Sequence, residues 1–182
     1  MRSPDSSTNP SGLNYSRSLS GLVLKPFTLA MVDDVHLAVL NDKAYLEFSE
    51  NAATFWTKPL ADMWIEREIG LGSRLYAVFL NRKRAGSITL RKTEPSLIDV
   101  SFLIYPFAAG RGLATEILMS CTRITKFSEE VKTIQIGCSR GNSAMIRAAL
   151  KAGLIRISDQ SDSVQTFQFR NSGGTQFLAN KF

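Results

Sequence analysis

Histidine is nearly absent from this 182-residue chain: His36 stands alone, and there are only two cysteines, Cys121 and Cys138. A zinc site draws four ligands from closely spaced Cys and His. Neither the number nor the spacing is here, so no metal is expected, and both cysteines read as reduced thiols of a cytosolic protein. Long apolar runs are missing too. The longest clusters, 75–80 and 102–104, are strand-sized, whereas a membrane helix needs roughly 20 apolar residues, so no membrane partner is expected. Residues 1–20 lack the apolar core of a secretory signal. Arg2 and Arg17 among serines suit an organellar transit peptide, but Asp5 and the missing amphipathic pattern speak against it. Acidic residues are the scarcer sign, 16 against 22 basic, for a net charge of +6 and a pI near 9.5. That balance favours anionic partners: a phosphorylated cofactor, RNA such as tRNA, or a ribosome surface. The basic residues are dispersed, however, as solubilising Lys and Arg are.

With 44% hydrophobic and 21% charged residues, the chain has the composition of one soluble domain with a proper core. Residues 1–20, rich in Ser, Asn, Pro and Gly, read as a disordered tail. Residues 21–170 form the domain, and 171–182 a Gly-rich C-terminal tail. The densest signal runs from Ile98 to Glu116. Asp99 and Ser101 alternate with Val100 and Phe102 as in a half-buried strand, which Pro106 ends. Gly110 and Gly112 flank Arg111 just before a helix-period run of Leu113, Ile117, Cys121 and Ile124. Glycines let backbone approach closely, and the unpaired N–H groups opening a helix attract anions, so a phosphate-bearing ligand fits. A bare Gly-x-Gly serves a plain corner equally well. Two standard phosphate loops are excluded: no Gly-Lys-Ser/Thr follows, and Thr115 stands where a Gly-x-Gly-x-x-Gly fingerprint needs its third glycine.

Taken in order, 21–27 reads as a strand, edge-like because of Pro26. Thr28 is placed to cap a helix through Leu29, Val32, Val35, Val39 and Leu40. His36 in that helix has no partner in sequence and reads as a surface or packing histidine, against an acid/base role. A second helix is expected over 58–68, with Pro59 in its first turn. Tyr45, Phe48, Phe55, Trp56 and Trp64 crowd this region, as core or as the wall of a substrate pocket. Strands over 74–80, 85–92 and 97–105, with turns at 81–84 and 94–96, make an antiparallel meander. A helix over 112–127 then crosses to a parallel strand at 132–139. Asn142 and Ser143 cap a helix to Ala152, and strands near 154–158 and 164–170 close the chain.

This order, with Phe107-Ala108-Ala109-Gly110-Arg111-Gly112, resembles the GNAT acyl-CoA-dependent N-acetyltransferases. Leu113-Ala114-Thr115-Glu116, and Asn142-Ser143-Ala144-Met145-Ile146-Arg147 through Lys151-Ala152-Gly153-Leu154, are similar to the ribosomal-protein-alanine N-acetyltransferase-like branch. The resemblance implies an α/β (α+β) GNAT fold: a central mixed, mostly antiparallel sheet of six to seven strands with about four helices. It implies acetyl-CoA (CoA) as cofactor, held by Phe102, Leu103, Ile104, Tyr105, Ala109, Gly110, Arg111, Gly112, Leu113, Ala114, Thr115 and Asn142. The backbone N–H of Leu103 or Ile104 is expected to polarise the thioester carbonyl, and Arg111 to compensate for Phe107 and Ala109, which stand where the motif has polar or basic residues.

Asp99 matches the acidic position of this strand and is the general-base candidate. Ala149 and Met145 occupy positions where the family places a proton-donating Tyr and a Ser, leaving Cys138 and Ser143 as substitutes. The acceptor implied is a primary amine: a protein N-terminus, a small molecule such as an aminoglycoside, polyamine or amino acid, or the aminoacyl group of charged tRNA. The missing Tyr and Ser also suit a non-catalytic acyl-CoA-binding module. A monomer or homodimer is expected.

Overall fold

The computed structural model describes residues 21–48, 53–127, 130–159 and 163–171. The tail expected at 1–20 lies outside them, as does all but Asn171 of the tail expected at 171–182. One seven-stranded sheet forms the frame, in the order β1-β2-β3-β4-β5-β7-β6. β1 (Leu22–Pro26) is an edge strand, as Pro26 requires, because a proline cannot donate to a further ladder. β2 (Arg74–Leu80), β3 (Lys83–Glu94) and β4 (Leu97–Ile104) form the meander. The first hairpin is tighter than expected: its turn is only Asn81 and Arg82, with φ of 50° and 68°, so β3 starts at Lys83. Positive φ at both central residues suits the twist of paired strands, and Asn tolerates it well.

Between β1 and β2 lie α1 (Asp34–Leu40) and α2 (Lys58–Gly70). The helix expected to start at Thr28 is broken. Leu29–Met31 form only a 3-10 turn, Thr28 makes no capping bond, and Asp33 caps α1 by accepting from the His36 N–H. α2 begins as read, with Thr57 as cap, Pro59 in the first turn and a Lys58–Asp62 ion pair at 2.7 Å. After β4, α3 (Leu113–Phe127) crosses to β5 (Thr133–Ser139), and α4 (Ser143–Lys151) to the closing hairpin of β6 (Ile155–Asp159) and β7 (Val164–Arg170).

Alternation along β2 sorts the two cores. Ala77, with Leu75 and Phe79, packs under Phe27, Val32, Trp56, Ala61 and Ile65 on the α1–α2 face. Val78, with Tyr76 and Leu80, joins Ile88, Val100, Ile117, Leu118, Ile134 and Phe167 on the α3–α4 face. Successive side chains of a strand point to opposite faces, so a run such as Arg74–Leu80 feeds two cores at once.

Candidate active site

β4 and β5 pair in parallel only through Leu97–Thr133, Ile98–Ile134 and Asp99–Gln135, then part. The far edge of β5 stays paired with β7 along all of Thr133–Ser139, so the gap opens solely toward β4. Tyr105 N–H donates to Ala85 at 2.7 Å, and Leu103 lies opposite Ser87 in the same register. Backbone groups alternate in direction along a strand. Those of Ser101 and Leu103 therefore face β3, and those of Phe102 and Ile104 face the gap. This corrects one expectation: the Leu103 N–H is turned to the ladder, while Phe102 and Ile104 turn theirs to the gap.

A glycine keeps this strand in place. A Cβ at Gly86 would lie 2.0 Å from the Leu103 carbonyl oxygen, a distance no side chain tolerates. Below the gap, Gly110 and Gly112 take φ of 74° and 80° and turn the chain into α3. A Cβ on either would meet nothing within 4 Å, so the glycines serve the turn and leave the approach to the helix open. The opening N–H groups of α3 lack intrahelical partners, as in every helix, and Leu113, Ala114 and Thr115 line the cleft with Ala109, Gly110 and Gly112. Arg111 is exposed and lies outside that lining.

The cleft is one continuous cavity of ≈ 870 Å³. Cys138, Asn142, Met145, Arg147 and Lys151 form its α4 side. Burial pushes the Cys138 thiol up, which keeps it protonated. The Asn142 side chain accepts from Met145 N–H at 3.0 Å and so caps α4. Ser143, expected here as a substitute acid, is exposed and does not line the cleft. Ala149 is fully buried in the α3–α4 core. The 42–48 segment bridges the opening: the Tyr45 hydroxyl donates to the Ile104 carbonyl at 2.6 Å, and the Phe48 ring covers Gly141 so closely that a Cβ there would meet it at 2.6 Å.

His36 is the residue that sequence reasoning undervalued. It is buried and lines the cleft, and its Nδ1 shares a 2.8 Å hydrogen bond with the hydroxyl of Tyr105. Burial first, and then the Arg84 guanidinium, lower its pKa to about 4, so the ring is neutral near pH 7. Arg84 also bonds the Met31 carbonyl and the Asp33 carboxylate. The partners lie 69 residues apart, and no local pattern announces such a pair. Tyr105 itself is turned into this packing rather than into the cleft, and burial pushes its hydroxyl up to about 12.

Asp99 sits where the strands part, the last residue of β4 paired with β5. Its carboxylate lies 3.7 Å from Arg91, which also pairs with buried Glu68 at 3.0 Å, and it is outside the cleft lining. Among the described residues no three His, Cys, Asp or Glu side chains gather as a metal set, and no helix is long and apolar enough to cross a membrane.

The acetyltransferase (GNAT) domain family matches residues 21–155, most of the chain and both walls of the cleft. The chain belongs to the GNAT acetyltransferases. It is an acyltransferase, with acetyl-CoA as its cofactor. Among curated proteins, sequence comparison finds no match. Solved GNAT structures share the fold at low identity. RimL, the ribosomal L7/L12 α-N-protein acetyltransferase in complex with coenzyme A, is 16% identical at a TM-score of 0.73, covering 83% of this chain and 94% of its own. Spermidine N-acetyltransferase from Vibrio cholerae, in complex with CoA and spermine, is 13% identical at 0.70, covering 84% and 97%. An aminoglycoside acetyltransferase in complex with coenzyme A and kanamycin is 19% identical at 0.67, covering 82% and 95%. At these identities the likeness fixes the GNAT fold and leaves the acceptor open.

Proposed function

We propose that this GNAT enzyme transfers the acetyl group of acetyl-CoA to the N-terminal α-amine of a protein, in the cytoplasm. The observation that carries the reading is the lining of the cleft: among the described residues it holds no carboxylate. An ammonium is not a nucleophile, and stripping its proton takes a base matched to the task. Where no such base lines the site, the acceptor must arrive already neutral. At pH 7.5 an α-amine with a pKa near 7.7 is about two-fifths neutral, whereas a lysine-type amine near 10.4 is about a thousandth neutral. The α-amine is therefore the acceptor that this site serves best. The likeness of Leu113-Ala114-Thr115-Glu116 to the ribosomal-protein-alanine branch and the structural likeness to RimL point the same way.

The residues present fit the cofactor. Gly110 and Gly112 leave the mouth of α3 open for a pyrophosphate, and Asn142, Arg147 and Lys151 stand on the opposite wall. Bound in the gap, acetyl-CoA supplies the activated acetyl group. The Phe102 N–H, turned into the gap, is placed to bond the carbonyl oxygen as negative charge builds there. Ser87, Thr89 and Ser101 line the acceptor side and can hold the amine through their hydroxyls. Cys138, kept as a thiol by burial, offers the departing thiolate a hydrogen bond. Asp99, paired with Arg91 and set back from the cleft, takes part only through water.

Incubating a cell lysate with isotopic acetyl-CoA and the enzyme, then mapping labelled peptides by mass spectrometry, tests this. Label on protein N-termini is expected; label confined to lysine side chains or small molecules rejects the reading.

A further inference from the structure

The acceptor side of the cleft is unusually free of charge for a site that receives an amine. Its wall is Phe27, Leu40, Trp56, Trp64, Ile65 and Leu75, with hydroxyls at Ser87, Thr89 and Ser101 and the neutral ring of His36. Four carboxylates near this wall are engaged elsewhere: Asp62 with Lys58, Glu68 and Asp99 with Arg91, and Asp33 with Arg84. Each of these four is held by a cation of the chain itself, and among the described residues no carboxylate lines the cleft. A second positive charge on an acceptor would meet apolar surface with guanidinium groups behind it. An ion moved out of water without a partner costs several kcal/mol.

We propose that the acceptor half of the cleft selects an α-amine carried beside an apolar or aromatic side chain, and rejects acceptors bearing a second positive charge. The selection rests on the acetyl-transfer reading and goes beyond it by naming the acceptor's first residue: uncharged, and large enough to cover Trp64, Ile65 and Leu75. The spermidine and aminoglycoside enzymes that share the fold have polycationic acceptors in their names; this wall is built against that class.

The test uses pairs that differ only in the second charge. Phenylalaninamide and lysinamide both carry an α-amine beside a carbonyl, and matched peptides beginning with phenylalanine or lysine repeat the comparison at a protein-like terminus; spermidine completes the set. Acetyl-CoA consumption by the full chain is expected to favour the phenylalanine member of each pair by at least about 100-fold in kcat/KM, with spermidine poorer still. Tryptophan fluorescence in the presence of CoA reads acceptor binding without turnover and should rank the compounds alike. Ser101→Asp, which adds a carboxylate to the wall, should narrow the phenylalaninamide-to-lysinamide ratio by about tenfold or more. Equal use or equal binding of the lysine members, or preferred use of spermidine, overturns the proposal. So does a lack of phenylalaninamide binding at millimolar concentration. If the amides behave as expected but neither peptide is acetylated, the selection stands and the protein N-terminus reading falls.

Discussion

His36 is the only histidine of the chain, and that makes its burial measurable. Its pKa in the fold is about 4 against an ordinary 6.5. Above pH 6.5 the ring is neutral folded or unfolded and contributes no pH dependence. Below that, the unfolded chain takes up a proton that the fold refuses, so stability declines from pH 6.5 toward 4, at up to about 1.4 kcal/mol per pH unit, and levels off below. Asp33 and Glu68, with pKa values held down by hydrogen bonds and by Arg84 and Arg91, lose their contribution only at lower pH, where carboxylates begin to protonate. Urea midpoints between pH 7 and 5 should fall for the wild type and stay nearly level for His36→Gln; an equal decline in both would assign the slope elsewhere. Asp99 carries the opposite expectation. Set back behind Arg91, it should matter little, so Asp99→Asn should lose less than about tenfold in kcat rather than the 10²- to 10⁴-fold typical of a general base in contact with its proton. A loss of 10³ in steady-state assays would move the proton route back to this residue.

At the scale of elements, the gap between β4 and β5 depends on β4 lying close along β3, and Gly86 sets that approach. Gly86→Ala puts a methyl 2.0 Å from the Leu103 oxygen. The strand must shift, at about 1–3 kcal/mol for such overpacking, and the backbone of Phe102 shifts with it. Thermal unfolding and CoA titration should worsen together; a stable variant with weakened CoA binding would mean that the strain is absorbed inside β4. Much of the element order was legible because the two periods, 2 and 3.6, are plain in segments such as 98–104 and 113–121. The glycine loop was legible because positive φ and helix starts leave residue-type marks. What was not legible involves distance in sequence: Tyr105 bonding His36, Tyr45 reaching Ile104, Arg91 taking Asp99 and Glu68. Even α1 was misread at its start, because Thr28 and Asp33 are both good caps and only the packing of Leu29 and Val32 beneath α2 decides between them.

For the molecule as a whole, the cleft is a place where the sheet forgoes strand pairing and a ligand restores it. The last two residues of β4 with backbone turned outward, Phe102 and Ile104, make no ladder with β5, and the Tyr45 hydroxyl reaches the Ile104 carbonyl. Whatever occupies the gap thus adds a tie between two halves of one sheet, β1–β4 and β5–β7, whose strands pair directly through only three register pairs among the described residues. A ligand seen only by the native state adds RT ln(1 + [L]/Kd), about 2.7 kcal/mol at a hundredfold excess over Kd. Acetyl-CoA should accordingly raise the midpoint of unfolding by several degrees at saturating concentration. If the pyrophosphate lies at the start of α3 as proposed, the shift should depend on the glycine loop more than on any side chain, because the opening N–H groups of the helix would face it. In Gly112→Asp a carboxylate enters the space left open at φ 80°, bringing repulsion toward the pyrophosphate as well as strain in a left-handed backbone. Gly112→Ala brings only the strain, about 1 kcal/mol. The ligand-free midpoints of the two variants should therefore be close, while the acetyl-CoA shift persists, reduced, in Gly112→Ala and disappears in Gly112→Asp. An undiminished shift in Gly112→Asp by differential scanning fluorimetry would place the pyrophosphate away from the start of α3 and remove the loop from the cofactor site.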